Sequence, residues 1–414
     1  MENTAHEPEA MNQDLTHHLA DAGSPVLSLP EPGSEAIQHS QRLVEHIHTC
    51  IETQDGFLSF ADYMEQVLYA PGLGYYSAGS RKLGQDGDFI TAPEISPLFS
   101  RCLANALQGV LTPDSQLQGN ILEVGAGTGI MAATILLQLE SSRSLPGQYL
   151  ILERSAEQRE RQQQTLQQHC PHLLGRVSWL DDLPHGFNGV VIANELLDAL
   201  PVHRVTRQHG QWQELGVTFN GQFSYATREI TQPRLQQRLR MIESELGELP
   251  EGYTTEINLA AEDWIHSLAS CLEQGMVLLI DYGYSQHEYY HPQRQQGTLM
   301  CHYRHRAHDD PFVYPGLQDI TAHVDFTAMA DAALDAGLKV RGYTAQALFL
   351  MDNGLNELAE TVAAQDAEQQ LRLATEIRRL TLPQEMGESF KVILFSKNTD
   401  EMLPGFAMDM RERL

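Results

Sequence analysis

The chain has 414 residues, 42% of them hydrophobic and 20% charged, which is enough for one large domain or a catalytic domain with an appendage. Its net charge of −28 disfavours nucleic acid and anionic membranes as partners, because phosphate binding depends on Lys and Arg. The same charge would attract a substrate with a basic side chain, although it also serves simply to keep a protein in solution.

The cysteines and the first residues give expectations about location. Five cysteines occur without a C-x-x-C spacing, so neither disulfides nor a cysteine zinc site is expected. Residues 1–36 contain no Lys or Arg, whereas secretory and mitochondrial targeting segments need basic residues. No apolar run reaches the roughly 20 residues of a membrane helix. We therefore expect a cytoplasmic protein with a disordered leader at 1–36.

Helices are predicted to follow the leader. Ser59 can cap one of them, and a Pro- and Gly-rich turn over 71–76 ends that helix. We interpret residues 37–115 as an N-terminal helical cap. The helices predicted within it are Ile37–Glu52, Phe60–Tyr69 and one that begins at Ser96-Pro97 and ends near Leu111.

From Asn120 onward, short apolar strands alternate with helices. Continuous apolar runs of this kind indicate parallel strands covered by helices on both faces, which is a doubly wound α/β sheet. The last two strands are expected to form an antiparallel hairpin. The predicted strands are Ile121–Val124, Tyr149–Leu152, Val177–Leu180, Gly189–Ala193, Met276–Ile280, Leu338–Tyr343 and Phe390–Ser396.

Two regions interrupt this sheet. Val202–Ala226 alternates apolar and polar residues around Asn220-Gly221, which predicts an inserted antiparallel hairpin. Residues 284–325 show little periodicity, so a long functional or disordered loop is expected there. The resulting organisation has core halves at 116–201 and 271–398, an inserted β-rich segment at 202–270 and a tail at 399–414.

A glycine-rich loop joins the first strand of the sheet to a helix. Gly125 permits the turn off the strand, Gly127 lets the backbone approach a ligand, and Gly129 lets the helix pack on the sheet. A strand before the loop and a helix after it make this pattern more specific than the glycines alone. The loop therefore predicts a nucleotide-like ligand, the alternative being a tight packing turn.

The acids near this loop favour S-adenosylmethionine over a dinucleotide. The dinucleotide fingerprint G-x-G-x-x-G is broken because position 130 is Ile. Glu123 suits the cationic amine and sulfonium of S-adenosylmethionine, and Glu153 can accept hydrogen bonds from ribose hydroxyls. Asp181 and Asp182 follow the third strand, where they would receive the adenine amino group or act as plain turn acids.

An acidic segment follows the fourth strand, where this architecture places the transferred methyl group. If the acceptor is arginine, its guanidinium stays protonated near neutral pH, so carboxylates must orient it and stabilise its charge. Glu195 and Asp198 lie three residues apart and would share one face of a helical turn. Equally, Asn194 could be an N-cap, with the two acids stabilising the helix end.

Longer segments resemble the MidA-like family, whose mitochondrial members are complex I assembly methyltransferases. The resemblance implies a class I (Rossmann-like) methyltransferase fold, S-adenosylmethionine as donor, and a protein arginine as acceptor. The matching segments run from about residue 55 to 397 and are Gly74-Tyr-Tyr, Gly87-Asp-Phe-Ile-Thr-Ala-Pro-Glu-Ile-Ser, Glu123-Val-Gly-Ala-Gly-Thr-Gly, Ala193-Asn-Glu-Leu-Leu-Asp-Ala-Leu-Pro-Val, Ile280-Asp-Tyr-Gly, Gly297-Thr-Leu, Thr321-Ala-His-Val-Asp-Phe and Leu382-Pro-Gln-Glu-Met-Gly-Glu-Ser-Phe-Lys.

The resemblance also gives roles to residues outside the glycine loop. The loop before the glycine strand is expected to close over the donor or acceptor as a lid, or else to pack as part of the cap. From the resemblance we expect Tyr75, Asp88 and Thr91 to bind the donor and Glu94 to bind the substrate. Asp281 follows the fifth strand and faces the same crevice, so it would bind the substrate or act as a turn acid. His323 is expected to be structural or to face the substrate.

Two other classes remain open at this point. One is a nicotinamide-dependent oxidoreductase on a similar sheet, and the other is a catalytically silent assembly factor that binds a partner protein. No metal site is expected, since His302, His305 and His308 lack an accompanying carboxylate pattern. The expected partner is a protein with a basic side chain, and the interpretation also allows a homodimer.

Overall fold

A computed structural model describes residues 29–77, 90–112, 115, 117, 119–362 and 366–414. The chain divides into two units, Met1–Pro32 and Gly33–Leu414, and the helices and strands below belong to the second. Most of the predicted leader lies outside the described residues, so its disorder stays a prediction. The first helix begins at Ser34, slightly earlier than expected.

The N-terminal part contains α1 (Ser34–Thr53), β1 (Leu58–Ser59), α2 (Phe60–Tyr69), α3 (Ala92–Ile95) and α4 (Pro97–Leu107). The predicted bounds of α2 are confirmed, and the hydroxyl of Ser59 caps it by accepting a backbone N–H at 3.0 Å. Ser96 caps α4 in the same way at 3.3 Å. That helix ends at Leu107 rather than Leu111, because the chain tightens into a 3-10 turn over Gln108–Val110.

Strands and helices then alternate as predicted. The elements are β2 (Ile121–Val124), α5 (Ile130–Ser141), β3 (Tyr149–Leu152), α6 (Ala156–His169), β4 (Val177–Leu180) and β5 (Phe187–Asn194). All four strands pair in parallel, and the first three have the bounds that their apolar runs predicted. The carboxyl ends of these strands therefore meet at one edge of the sheet.

A second, antiparallel sheet follows β5. Its region contains β6 (His203–Gln208), β7 (Gln211–Phe219), β8 (Phe223–Glu229), α7 (Pro233–Leu246), β9 (Thr254–Ile257) and α8 (Leu259–Cys271). The predicted hairpin is confirmed, with Asn220 and Gly221 between β7 and β8. The φ of Gly221 is +76°, which glycine adopts without strain. Since β1 also pairs with β7, this sheet is joined to the N-terminal part.

The remaining elements are β10 (Leu272–Tyr284), α9 (Gln286–Tyr289), β11 (Met300–Tyr303), β12 (Arg306–His308), β13 (Asp319–Thr321), β14 (Val324–Asp325), α10 (Phe326–Asp335), β15 (Lys339–Ala345), α11 (Gln346–Asp352), α12 (Leu355–Thr361), α13 (Ala367–Thr381), α14 (Met386–Ser389) and β16 (Phe390–Lys397). The expectation of an unstructured loop over 284–325 is wrong in part, because β11, β12 and β13 form a small antiparallel sheet. Strands this short carry too few residues for a periodic pattern.

The central sheet has the strand order β15-β16-β10-β5-β2-β3-β4, and β14 pairs with the end of β10. The doubly wound arrangement is therefore confirmed, since successive strands extend from β2 first in one direction and then in the other. Strand β16 runs antiparallel to both neighbours, which confirms the predicted C-terminal hairpin. A crevice is expected between β2 and β5, where the strand order reverses.

Both faces of the central sheet are buried. Residues of β10 alternate between two hydrophobic cores, with Met276, Leu278 and Ile280 in one and Val277 and Leu279 in the other. All five are at most 1% exposed, which explains why this strand reads as a continuous apolar run. Among the helices of the described residues, none has the length and hydrophobicity required to cross a bilayer.

Candidate active site

A cavity of about 230 Å³ opens at the carboxyl ends of β2 and β5. Its walls come from the glycine loop, the starts of α5 and α6, the turn after β5 and the N-terminal part of the chain. Of the residues proposed from the sequence, those that line it are Thr91, Glu94, Glu123, Gly125, Gly127, Glu153, Asn194 and Glu195.

The glycine loop requires its glycines for two different reasons. Gly125, Gly127 and Gly129 have φ values of +72°, +52° and +83°, in the left-handed region that other residues rarely adopt. A Cβ on Gly125 would lie 3.1 Å from Cδ1 of Leu196, and a Cβ on Gly129 would lie 3.1 Å from Cα of Gln162. Gly129 thus allows close packing against α6, not against the sheet as the sequence analysis expected.

A buried amide, which the sequence analysis missed, holds the donor side of the cavity together. Gln162 is fully buried, and its Nε2 donates to the carbonyl of Gly127 at 3.1 Å and to Oε2 of Glu153 at 3.2 Å. Its Oε1 accepts from the indole N–H of Trp179 at 2.8 Å. The glycine loop and the acid after β3 are therefore fixed by one side chain. A single glutamine in a polar helix gives no sequence signal of this role.

Three buried oxygens that line the cavity have no hydrogen-bond partner among the described residues. They are Oε1 of Glu123, Oε1 of Gln158 and Oδ1 of Asn194. The second oxygen of Glu123 accepts from the hydroxyl of Tyr149 at 2.5 Å, and burial raises the pKa of this carboxyl to about 7. Unpaired acceptors are costly, so the cavity suits a ligand with N–H and O–H groups. S-adenosylmethionine has these groups in its amine, ribose and adenine.

The acidic segment after β5 is a turn and not a helix. Glu195 has a φ of +51°, which is uncommon outside glycine, and its N–H donates to the carbonyl of Ile280 at 2.9 Å. The helical turn expected to carry Glu195 and Asp198 is therefore wrong, and so is the alternative in which Asn194 caps a helix. The three-residue spacing of Glu195 and Asp198 favoured a helix. The hydrogen bond from Glu195 to Ile280 of the neighbouring strand β10 instead sets the backbone conformation of the turn.

Asp281 on β10 holds this turn. Its Oδ2 accepts the backbone N–H groups of Leu196, Leu197 and Asp198 at 3.1, 2.8 and 3.4 Å, and its Oδ1 accepts that of Tyr282 at 2.9 Å. The side chain is 1% exposed and is not part of the cavity wall. The structure thus makes Asp281 a turn acid that positions the backbone, which was the alternative to a substrate-binding role.

Glu195 is fixed beside the cavity. Its Oε1 accepts from the N–H of Ala92 at 3.1 Å and from Nδ2 of Asn194 at 3.0 Å. Burial, and then the neighbouring Asp198, raise the pKa of Glu195 to about 8 in spite of these two hydrogen bonds. Burial also raises the pKa of Asp198 to about 6.

Asp198 and Asp281 are buried and Glu195 is half-buried, and no cation among the described residues balances their charge. In the part of the chain that the structure describes, no Lys or Arg forms an ion pair with Glu195, Asp198 or Asp281. Asp198 is 6% exposed and does not itself line the cavity, and its Oδ1 has no partner among the described residues. Buried carboxylates in this condition favour a bound cation.

Helix α3 covers the cavity and contacts both of its sides. Glu94 accepts a hydrogen bond from the hydroxyl of Thr128 in the glycine loop, while Ala92 donates to Glu195 in the acidic turn. Thr91, directly before the helix, also lines the cavity. This segment is the described end of the loop that was expected to act as a lid. Asp88, expected to bind the donor, lies outside the described residues.

Tyrosines of the N-terminal part reach the cavity, but not the one expected. Tyr75 is 1% exposed and packs in the hydrophobic core of this part, with its ring 5.1 Å from that of Tyr76. Tyr69 and Tyr76 line the cavity instead. The family motif includes both Tyr75 and Tyr76, so only the three-dimensional packing distinguishes them.

The acids after β4 are not brought to the cavity. The side chains of Asp181 and Asp182 are 82% and 78% exposed, and they form ion pairs at 2.7 Å with Arg159 and Arg154. Neither belongs to the cavity wall. Their position after a strand end predicted side chains in the crevice, but these side chains turn toward the arginines that follow β3.

His323 also lies away from the cavity wall. Its ring stacks on that of Tyr284 with centroids 5.2 Å apart, and burial lowers its pKa to about 4. The histidine is therefore neutral and packed among aromatic rings near neutral pH. Over the described residues, no group of three His, Cys, Asp or Glu is arranged to hold a metal ion.

Comparison with known proteins agrees with this geometry. A family model described as an S-adenosyl-L-methionine-dependent methyltransferase matches residues 98–344. A Burkholderia thailandensis protein whose crystal structure contains S-adenosyl-homocysteine superposes with a TM-score of 0.87 at 44% identity, covering 92% of this chain and 98% of that one.

Curated relatives match over nearly the whole chain as well. The Drosophila melanogaster "Protein arginine methyltransferase NDUFAF7 homolog, mitochondrial" is 30% identical, over 91% of this chain and 90% of its own length. The Mus musculus "Protein arginine methyltransferase NDUFAF7, mitochondrial" is 28% identical over 92% and 91%.

The fold and the cavity are those of a class I methyltransferase that uses S-adenosylmethionine as its donor. More narrowly, the chain belongs to the MidA-like family of S-adenosylmethionine-dependent methyltransferases, so the resemblance in its motifs is confirmed. The individual roles assigned to the site residues stay predictions.

Replacing Gly125 by Val is expected to weaken donor binding by at least about tenfold, because a β-branched residue is strained at this φ and its side chain would press on Leu196. Calorimetry with S-adenosyl-homocysteine measures the loss. The matched control is Gly221→Val, which has a similar φ of +76° but open space around it, and should bind as the unmodified protein does. A folded Gly125→Val variant with undiminished affinity would contradict this placement of the donor.

Proposed function

We propose that this protein transfers a methyl group from S-adenosylmethionine to the guanidinium group of an arginine in another protein. The observation that supports this most strongly is the acidic turn beside the donor loop, which no cation of the described residues balances and which places Glu195 in the cavity wall. A guanidinium would supply the missing positive charge and could bond a carboxylate with two parallel hydrogen bonds. The names of the fruit fly and mouse relatives give independent support.

The donor supplies an electrophilic methyl group on a positively charged sulfur. In the proposal, Glu123, Gln158 and Asn194 accept hydrogen bonds from it, and Glu153 accepts from its ribose. The backbone of the glycine loop fits against it because the loop carries no side chains at its turns. These residues would hold the donor in the cavity that the acidic turn also lines.

Glu195 orients the acceptor and stabilises its charge. Two hydrogen bonds to Oε1 fix its carboxylate, so little reorganisation is needed when the guanidinium binds. The half-buried position of Glu195 makes this attraction stronger than it would be at the surface. Methylation releases a proton from the attacking nitrogen, and the ionised form of Glu195, which becomes more abundant as the pH approaches its pKa of about 8, is suited to accept it.

The proposed partner is a protein with an exposed basic side chain, which the net charge of −28 would attract. Cytoplasmic location, the absence of nucleic-acid and membrane partners, and a homodimer stay predictions. The matched relatives carry the word mitochondrial in their names.

Glu195→Gln is expected to lower methyl transfer by about 10²- to 10³-fold, because the amide keeps the two hydrogen bonds to Oε1 but loses the charge that holds the guanidinium. Transfer of labelled methyl groups to arginine-containing proteins, read by mass spectrometry, measures this. Donor affinity should change less than about threefold, since donor contacts lie elsewhere in the cavity.

Glu273→Gln is the matched control for that variant, because Glu273 is exposed and lies at the opposite end of β10 from Asp281. It should transfer methyl groups at the unmodified rate. If Glu195→Gln kept both donor binding and full transfer, the proposal would be wrong. If it lost transfer but still supported the protein's biological role, the catalytically silent assembly factor would be the better interpretation of that role.

The rate of methylation should rise with pH toward about 8. A raised pKa means that Glu195 stays protonated to a higher pH than an ordinary Glu, and only its ionised form binds a cation. At saturating donor, kcat/KM for the arginine acceptor should therefore increase about tenfold per pH unit below 8 and level off above it. A flat profile between pH 6 and 9 would rule out this role, and Glu195→Gln should abolish the rise.

A further inference from the structure

Two tyrosines form part of the cavity wall beside the acidic turn. Tyr69 is the last residue of α2, and Tyr76 follows in the loop after it. Their rings stack with centroids 5.4 Å apart and planes inclined by 21°. Both side chains are half-buried and line the same cavity as Glu195.

Protein groups already occupy both hydroxyls. Tyr69 donates to the carbonyl of Ala199 at 2.9 Å, and Tyr76 donates to the carboxylate of Asp319 at 3.0 Å. Burial, followed by the charge of Asp319, raises the pKa of both phenols, so they stay neutral. The surface that these residues offer to a ligand is therefore aromatic carbon rather than hydroxyl.

The same hydrogen bonds fix the rings relative to the acidic turn. Ala199 directly follows Asp198, and the carbonyl of Asp198 accepts from the N–H of Ala322, three residues after Asp319. The rings and the carboxylates thus belong to one connected framework. An aromatic face and a carboxylate in one cavity are complementary to a flat cation, because the ring attracts positive charge and a guanidinium stacks on aromatic rings.

We propose that Tyr69 and Tyr76 form an aromatic wall that binds the guanidinium of the acceptor arginine and selects it over neutral side chains of the same shape. This inference rests on the proposed function and adds two specificity-determining residues to it. Glu195 provides the charged partner, and the rings provide the stacking surface. The hydrogen bond from Tyr69 to Ala199 attaches the aromatic wall to the acidic turn, which binds the acceptor in the proposal, rather than to the glycine loop.

The test compares a charged and a neutral probe of the same shape. Nα-acetyl-arginine methylamide and its citrulline counterpart are titrated into the full chain loaded with S-adenosyl-homocysteine, with binding followed by NMR. The unmodified protein should prefer the arginine probe. Tyr69→Leu and Tyr76→Leu should each reduce that preference by about 2- to 30-fold, while affinity for S-adenosyl-homocysteine changes less than about twofold.

Tyr69→Phe and Tyr76→Phe are the matched controls, because each keeps the ring and removes only the hydroxyl. Both should keep more of the preference for the arginine probe than the Leu variants do, because the stacking surface remains although the hydrogen bond that fixes the ring is lost. Leu variants that keep the full preference would overturn the aromatic wall and leave the proposed function standing. Leu variants that lose affinity for S-adenosyl-homocysteine would also overturn the aromatic wall, since the rings would then bind the donor. An unmodified protein that fails to prefer the arginine probe would overturn the proposed arginine acceptor, and the wall with it.

Discussion

The carboxylate of Asp281 accepts backbone N–H groups from three successive residues of the turn after β5, and the acceptor side of the cavity depends on that contact. The three N–H groups would otherwise be buried without partners. With them satisfied, the turn can leave the strand at once, with Glu195 in a left-handed conformation and its side chain in the cavity wall. Asp281 acts on the site entirely through this backbone.

The arrangement is unfavourable for the protein without ligands. A left-handed Glu costs about 1 to 3 kcal/mol. Burial raises the pKa of Glu195, Asp198 and Asp281, and the charge of Asp198 raises it further at the other two. A bound cation relieves this condition, and the guanidinium of the proposed acceptor is one. An unfavourable backbone conformation and unfavourable burial of acids, both at one turn of an otherwise regular sheet, are typical of a functional site. The well-packed cores on both faces of β10 provide the stability that offsets these unfavourable energies.

The sequence predicted the features that depend on local pattern. Buried parallel strands read as apolar runs, so β2, β3 and β4 were located to the residue, and the strand-loop-helix context identified the donor loop. The conformation of Glu195 and the role of Asp281 could not be predicted, because they arise from a contact between residues about 85 positions apart. Gln162 and the pair Tyr69 and Tyr76 were missed for the same reason.

The most direct test of this account is methyl transfer by Asp281→Asn. An amide has one acceptor oxygen, so its NH₂ must face either the turn's N–H groups or that of Tyr282, and the turn should lose its fixed shape. We predict that donor affinity stays within about threefold while transfer to arginine falls about 10²-fold or more. A folded variant that binds donor and transfers methyl groups at the unmodified rate would contradict the dependence of the acceptor site on Asp281.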